Sequence, residues 1–163
     1  MEIDDAITNL EKYIQNPSLG LPEEVFLFIS RLTPMVNVDL LVKNRKNQTL
    51  LAWRDDPFAG VGWHLPGGII RYKEKAETRI LKVAEIEIGS VIEFDPVPIA
   101  INQVLCNHNT RGHFISLLYN CIIPGDFIPK NQGLINTNAG YLKWHDSCPE
   151  NLIKVHEMYR NYI

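Results

Sequence analysis

GGIIRYKEKAETRILKVAEIEIGS, residues 67–90, joins a glycine pair to a run of high helical propensity that stops at Gly89, the residue type usual just past a helix C-terminus. At about 100° per residue, Ala76, Ile80, Val83, Ala84 and Ile88 share one arc, which must face a core. Glu87 falls in the middle of that arc, whereas Glu77 and Glu85 lie at its margin or beyond, where a helix glutamate is simply solvated. A carboxylate among apolar residues is costly unless it is paired or bound to a cation, so Glu87 implies a metal or an Arg/Lys partner. Pro66-Gly67-Gly68 lets the backbone turn sharply and leaves a carbonyl available to a cation. One carboxylate, a carbonyl and substrate phosphates are a usual way of holding magnesium. Ile86 lands on the otherwise polar side of the helix, with Lys75, Arg79 and Lys82, where an acid would have served a metal.

Working outward, DDPFAGVGWHLPGG (55–68) carries too many helix and strand breakers for an ordinary element and reads as a shaped loop. Before it, MVNVDLLVKN and TLLAWR flank the turn RKNQ as a hairpin. Two short helices are expected upstream, over 4–14 and over 22–32. Downstream, IIRY (69–72) reads as a short strand, 90–106 and 112–123 as two strands flanking the polar loop NHNTR, 140–145 as a last strand, and 149–163 as a closing helix. Strands and helices without regular alternation predict a mixed sheet packed between helices.

A chain of 163 residues with 45% apolar and 21% charged residues has the size and composition of one domain, here 1–163 with 1–21 as an N-terminal helical extension. Sixteen basic against nineteen acidic residues give a net charge of -3, which offers no general attraction to nucleic acid or an anionic membrane. Three widely spaced cysteines frame no zinc site and suit a reduced, cytoplasmic chain. The acidic N-terminus has no signal pattern, and the longest apolar runs fall far short of a membrane span.

The segment GGIIRYKEKAETRILKVAEIEIG resembles the Nudix box: a Gly, five residues, Glu, seven residues, then Arg-Glu-apolar-x-Glu-Glu-x-Gly. Gly68, Glu74, Ala84, Glu87 and Gly89 fall on it in register, while Lys82, Val83 and Ile86 replace its arginine and two of its glutamates. Keeping only the last glutamate is a mark of the GDP-mannose mannosyl hydrolase branch. The resemblance to that branch runs from about residue 22 to about residue 145, through Asp39 in the first strand, Arg54 in LLAWR, the approach GVGWHLPGG, and His113 near the start of a later strand.

The resemblance implies an α/β Nudix fold, an α/β/α sandwich with a mixed β-sheet. It also implies Mg²⁺-dependent hydrolysis of a small-molecule nucleoside diphosphate sugar of the GDP-mannose kind. Glu87 and the carbonyl of Gly67 would hold Mg²⁺, Arg54 would neutralise the leaving diphosphate, and Asp39 would hold the sugar or nucleotide. Glu74 joins this set as a residue expected to pair with Lys82 or a loop amide rather than to bind metal alone. Where the branch has a metal-binding glutamine and a general-base histidine, this chain has Thr137 and Asn138, and asparagine accepts no proton near neutral pH. His145 or His113 would then be the substitute base. The branch's arginine after the glycine pair is Ile69, with Arg71 two residues on and expected on the same strand face. His64 reads equally as a group stacked on a ligand and as a loop residue packed on the core. Attack at phosphorus and a nucleotide-binding domain of weak activity are the alternatives, and the assembly, with a homodimer as one form, is left open.

Overall fold

The computed structural model describes residues 2–163. The described residues form one mixed sheet from β1 (Met35–Lys43), β2 (Thr49–Asp56), β3 (Gly60–His64), β4 (Gly67–Ile69), β5 (Glu93–Phe94), β6 (Ala100–Leu105), β7 (His113–Ile122) and β8 (Leu142–His145). The main path is β3-β2-β1-β7-β5, with β4 also on β1, β6 on β7 and β8 on β2. The central strand β1 runs parallel to β7, with Met35 opposite Phe114, and antiparallel to β2 and β4.

The alternation along β1 divides the core. Val38, Leu40 and Val42 pack on one face with Ile80, Val83, Ala84 and Ile88, while Leu41 packs on the other with Leu51, Trp63, Leu118 and Tyr159. Asp39 has the parity of Leu41 and so belongs to the second face. On the first face lies α3 (Ala76–Val83), and the expected apolar arc is the one that is buried. Full burial of Ile80 alone is worth roughly 1.5–3 kcal/mol. Glu77 and Glu85 are exposed, as expected.

The helix does not stay regular. From Ala84 to Ile88 it widens into a π-helical turn, which ends at Gly89 with φ +73°. The wider turn moves Glu87 off the centre of the buried arc and to its edge, where it is only partly covered. Arg79 departs from its expected place on the polar side. It is buried and pairs with Glu74, because that carboxylate is tucked under the first turn of α3.

Several elements differ from the sequence-based expectation. The shaped loop at 55–68 contains β3, since Gly60 and Gly62 make its edge rather than break it. The short strand after the loop is Gly67–Ile69, not 69–72. The run 90–106 splits into β5 and β6, with Pro96 and Pro98 between them. The N-terminal helices are shorter than expected, α1 spanning Ile3–Glu11 and α2 spanning Glu23–Ile29. The closing helix is a 3₁₀ segment, Lys154–Tyr159, because the residues before it are extended along the edge of β3. There Trp63 N–H donates to the Asn151 carbonyl at 2.9 Å, and Ile153 N–H donates to the Trp63 carbonyl at 2.9 Å. Gly62 makes this approach possible, since a Cβ there would meet the Ile153 side chain at 3.2 Å.

Candidate active site

The glycine pair works by closeness rather than by turning. Neither glycine has a positive φ, and both lie in β4. A Cβ on Gly67 would run into the Asp39 carboxylate and, at 2.7 Å, the Val38 carbonyl oxygen; one on Gly68 would meet Val83 at 2.9 Å. Leu40 N–H donates to the Pro66 carbonyl and Ile70 N–H to the Val36 carbonyl, both at 2.9 Å. Asp39 and Gly67 are therefore the pair between two hydrogen-bonded ones, and the N–H and C=O of Gly67 point away from β1. That N–H meets Glu87 Oε2 at 3.4 Å. The Gly67 carbonyl thus lies on the same strand edge as the Glu87 carboxylate. Glu87 has no Arg or Lys ion-pair partner among the described residues. Burial pushes its pKa from 4.5 to about 7 against the opposing pull of the Gly67 amide and the Arg54 charge.

Glu74 has the reverse environment. Its side chain is 5% exposed and takes Arg79 at 2.7 Å, Lys82 at 3.0 Å and the Arg71 amide at 3.0 Å. Burial raises its pKa, but these donors overcome that and hold it at about 2. Glu74 is a clamp between the box loop and α3, with the Lys82 and loop-amide partners expected and Arg79 added.

Two cavities, of about 500 and 430 Å³, meet at the β2–β3 pair, and of the residues lining them only Arg54 and His64 belong to both. Glu87 lines the smaller chamber with Asp55, Asp56 and Ile86. Arg54, from the end of β2, is paired with Asp56 at 3.1 Å and is about one-third exposed, so its guanidinium is within reach of both chambers. His64 is buried, and its Nδ1 lies 2.7 Å from the Leu65 carbonyl. A carbonyl only accepts, so Nδ1 carries the proton and Nε2 is the acceptor. Burial, then the Arg54 and His156 charges, hold this ring well below the usual histidine pKa.

The larger chamber has a polar wall built on Asp39. Its Oδ2 accepts from Tyr159 at 2.7 Å and from Ser116, and its Oδ1 from Asn37 at 3.0 Å. Burial raises the Asp39 pKa, and the three donors oppose that rise. A carboxylate has about four acceptor sites, so one remains for a ligand hydroxyl. His156 stands next to this wall; its Nδ1 accepts from Leu65 N–H at 3.1 Å, and burial followed by the Arg54 charge lowers its pKa to about 3.

Other expected residues lie elsewhere. His113 bonds to Gln103 at 3.0 Å and lines neither chamber. His145 packs on Trp63, ring centroids 4.5 Å apart, and also lines neither chamber. Arg71 follows β4 and does line the larger chamber, where its guanidinium donates to the Leu19 carbonyl. Asn138 uses its Oδ1 to accept from Ile135 N–H at 3.0 Å and so builds a turn. Cys106 also lines the larger chamber. Ser116, His156, Tyr159 and Arg111 were missing from the sequence-based site. None of the four carries a distinctive sequence signal; Arg111 in particular reads as an ordinary basic residue of a polar loop.

No protein-family profile matches the chain. Solved structures do. The MutT Nudix hydrolase of Burkholderia pseudomallei superposes with a TM-score of 0.62 over 80% of this chain and 98% of its own, at 19% identity. The fold is the Nudix fold. A hydrolase of the Nudix family from Clostridium perfringens aligns at TM-score 0.58 and 15% identity over 79% of this chain and 95% of its own. A UDP-X diphosphatase aligns at TM-score 0.56 and 13% identity over 99% of this chain and 68% of its own. The segment whose sequence resembles the Nudix box forms β4, the loop clamped by Glu74, α3 and the π-helical turn. Among the described residues, no helix is long and apolar enough to cross a membrane.

Proposed function

We propose that the chain hydrolyses a nucleoside diphosphate sugar with the help of Mg²⁺, releasing the sugar and the nucleoside diphosphate. The observation that carries this reading is Glu87, a partly buried carboxylate without a cation, set beside the outward-facing edge of Gly67. Among the described residues no three His, Cys, Asp or Glu side chains gather into a metal cage. That suits Mg²⁺, which is commonly held by one or two carboxylates together with waters and substrate phosphates. Glu87 and the Gly67 carbonyl would hold the ion, which when bound would neutralise charge on the leaving diphosphate.

The chain's own groups supply the rest. Arg54 stands between the chambers and would exchange part of its contact with Asp56 for diphosphate oxygens. The spare acceptor site of Asp39 would take a sugar or ribose hydroxyl. His64 lines both chambers, its Nε2 left as the unprotonated nitrogen by the Nδ1 contact to Leu65, and is the base we place in the site, in preference to His113 and His145, which line neither. Its lowered basicity makes it a weak base, and a positioned general base typically contributes roughly 10²–10⁴-fold. Slow turnover is expected.

A panel of nucleotide sugars hydrolysed with MgCl₂ in ¹⁸O-water tests the reaction. Label in the released sugar supports attack at carbon. Label in the phosphate product replaces this reading with attack at phosphorus, and no turnover on any member replaces it with a binding domain, the reading favoured by the use of Asn138 in a turn. Arg54→Lys should lower kcat/KM roughly 10- to 100-fold, because an ammonium cannot supply the two-pronged contact of a guanidinium. Parent-like kcat/KM would take Arg54 out of the site.

A further inference from the structure

The larger chamber contains a guanidinium that no acceptor among the described residues engages. Arg111 lines it from the β6–β7 loop, and its Nε is buried with no hydrogen-bond partner among the described residues. The other arginines of the chamber are occupied: Arg54 by Asp56, Arg79 by Glu74 and Arg71 by the Leu19 carbonyl. Asp56 acts on Arg111 through its charge without forming an ion pair.

The position of Arg111 is built with care. Its guanidinium carbon lies 4.6 Å from the centre of the Phe58 ring and 5.7 Å from that of Phe26. Phe58 is itself fixed, since Asp56 accepts from the Phe58 and Ala59 amides, each at 2.8 Å. The Arg111 backbone has φ +53°, an uncommon left-handed conformation for a side-chain-bearing residue, and its amide donates to Ser30 Oγ at 2.9 Å. Cation–π attraction to the two rings holds the guanidinium in place without using any of its N–H donors, which stay free for an acceptor in the chamber.

From this geometry we infer that Arg111 binds phosphate oxygens of the substrate's diphosphate, as a second guanidinium acting with Arg54 in the same chamber. It supplies from a distant loop the positive charge that Ile69 lacks and that Arg71 has committed to Leu19. The nucleoside then lies in the larger chamber, beside Phe26 and Phe58, and the sugar lies toward Glu87 and the smaller one. The inference rests on the diphosphate chemistry of the proposed function, so the test separates the two.

Calorimetric titration with ADP, GDP, UDP, CDP and inorganic pyrophosphate, each with MgCl₂, and with the parent nucleosides, is run on the parent protein, Arg111→Gln and Arg111→Lys. Arg111→Gln should weaken pyrophosphate and the best-bound nucleoside diphosphate by roughly 10- to 100-fold, while nucleoside binding stays unchanged. Arg111→Lys should lose less, yet still differ from the parent. Thermal melts establish that the variants are folded, and Arg111→Lys carries the test if the glutamine variant is not. Parent-like pyrophosphate binding by a folded variant overturns the inference, as does an equal loss for nucleoside and diphosphate, which would place Arg111 on the base. A parent protein that binds no diphosphate at all overturns the proposed function itself.

Discussion

Replacing Glu87 by Gln is expected to abolish Mg²⁺-dependent turnover, by about 10³-fold or more, and at the same time to stabilise the metal-free protein at alkaline pH. The first effect follows from removing the one carboxylate placed to hold the ion, whose charge stabilisation is worth several kcal/mol in a transition state. The second follows from the sign of the pKa shift. A carboxylate whose folded pKa rises from 4.5 to about 7 contributes stability that is complete below 4.5 and is lost as pH rises through 7. Above that pH the fold holds an unpaired charge costing about 3 kcal/mol, which a neutral amide of the same shape removes. Urea melts at pH 4 and pH 8, with and without MgCl₂, check this. The variant should match the parent at pH 4 and exceed it at pH 8 without metal, and MgCl₂ should stabilise only the parent. Parent-like turnover by the variant would remove Glu87 from the site.

Glu74→Gln should act in the opposite direction. It leaves the buried Arg79 guanidinium facing an amide, and breaking a buried pair in this way costs about 3–5 kcal/mol. Because the folded pKa is lowered from 4.5 to about 2, the carboxylate's contribution is present above 4.5 and fades as pH falls through 2. The stability gap between parent and variant should therefore be full at pH 7, narrow below pH 4.5 and close near pH 2. Activity should fall chiefly as the folded fraction falls. A variant with parent-like melting and no turnover would show that Glu74 touches the reaction directly.

Much of the fold was legible because it rests on short-range regularities. The buried arc of α3, the alternation of β1 and the Gly89 stop are set by residues within a dozen positions of each other. Glu87 was legible for the same reason, as an acid in an apolar arc, although the π-helical turn that carries it to the edge leaves no mark in a 3.6-residue pattern. The closing segment was misread because its periodicity suits a helix, while the decisive contact, Asn151 and Ile153 on Trp63, is made some 90 residues away in the chain. The same limit hid the Asp39 wall. Ser116 is one of several polar residues in its strand and Tyr159 one of two tyrosines in an amphipathic run, and neither points to Asp39 until the sheet is assembled. Arg111 is not legible because a basic residue in a polar loop is ordinarily solvated; only Phe26 and Phe58, brought together by tertiary packing, distinguish it.

Two of the three donors on Asp39 come from 77 and 120 residues further along the chain. During synthesis, a growing chain that has reached residue 145 already contains every strand, yet its central carboxylate lacks the Tyr159 hydroxyl and the outer side of β3 is open. An unsatisfied buried acid and a bare strand edge both oppose compaction and favour pairing with another chain. The emergence of 150–159 removes both problems in one step, so the nascent protein becomes safe from misassembly only when the segment that completes its cleft has left the ribosome.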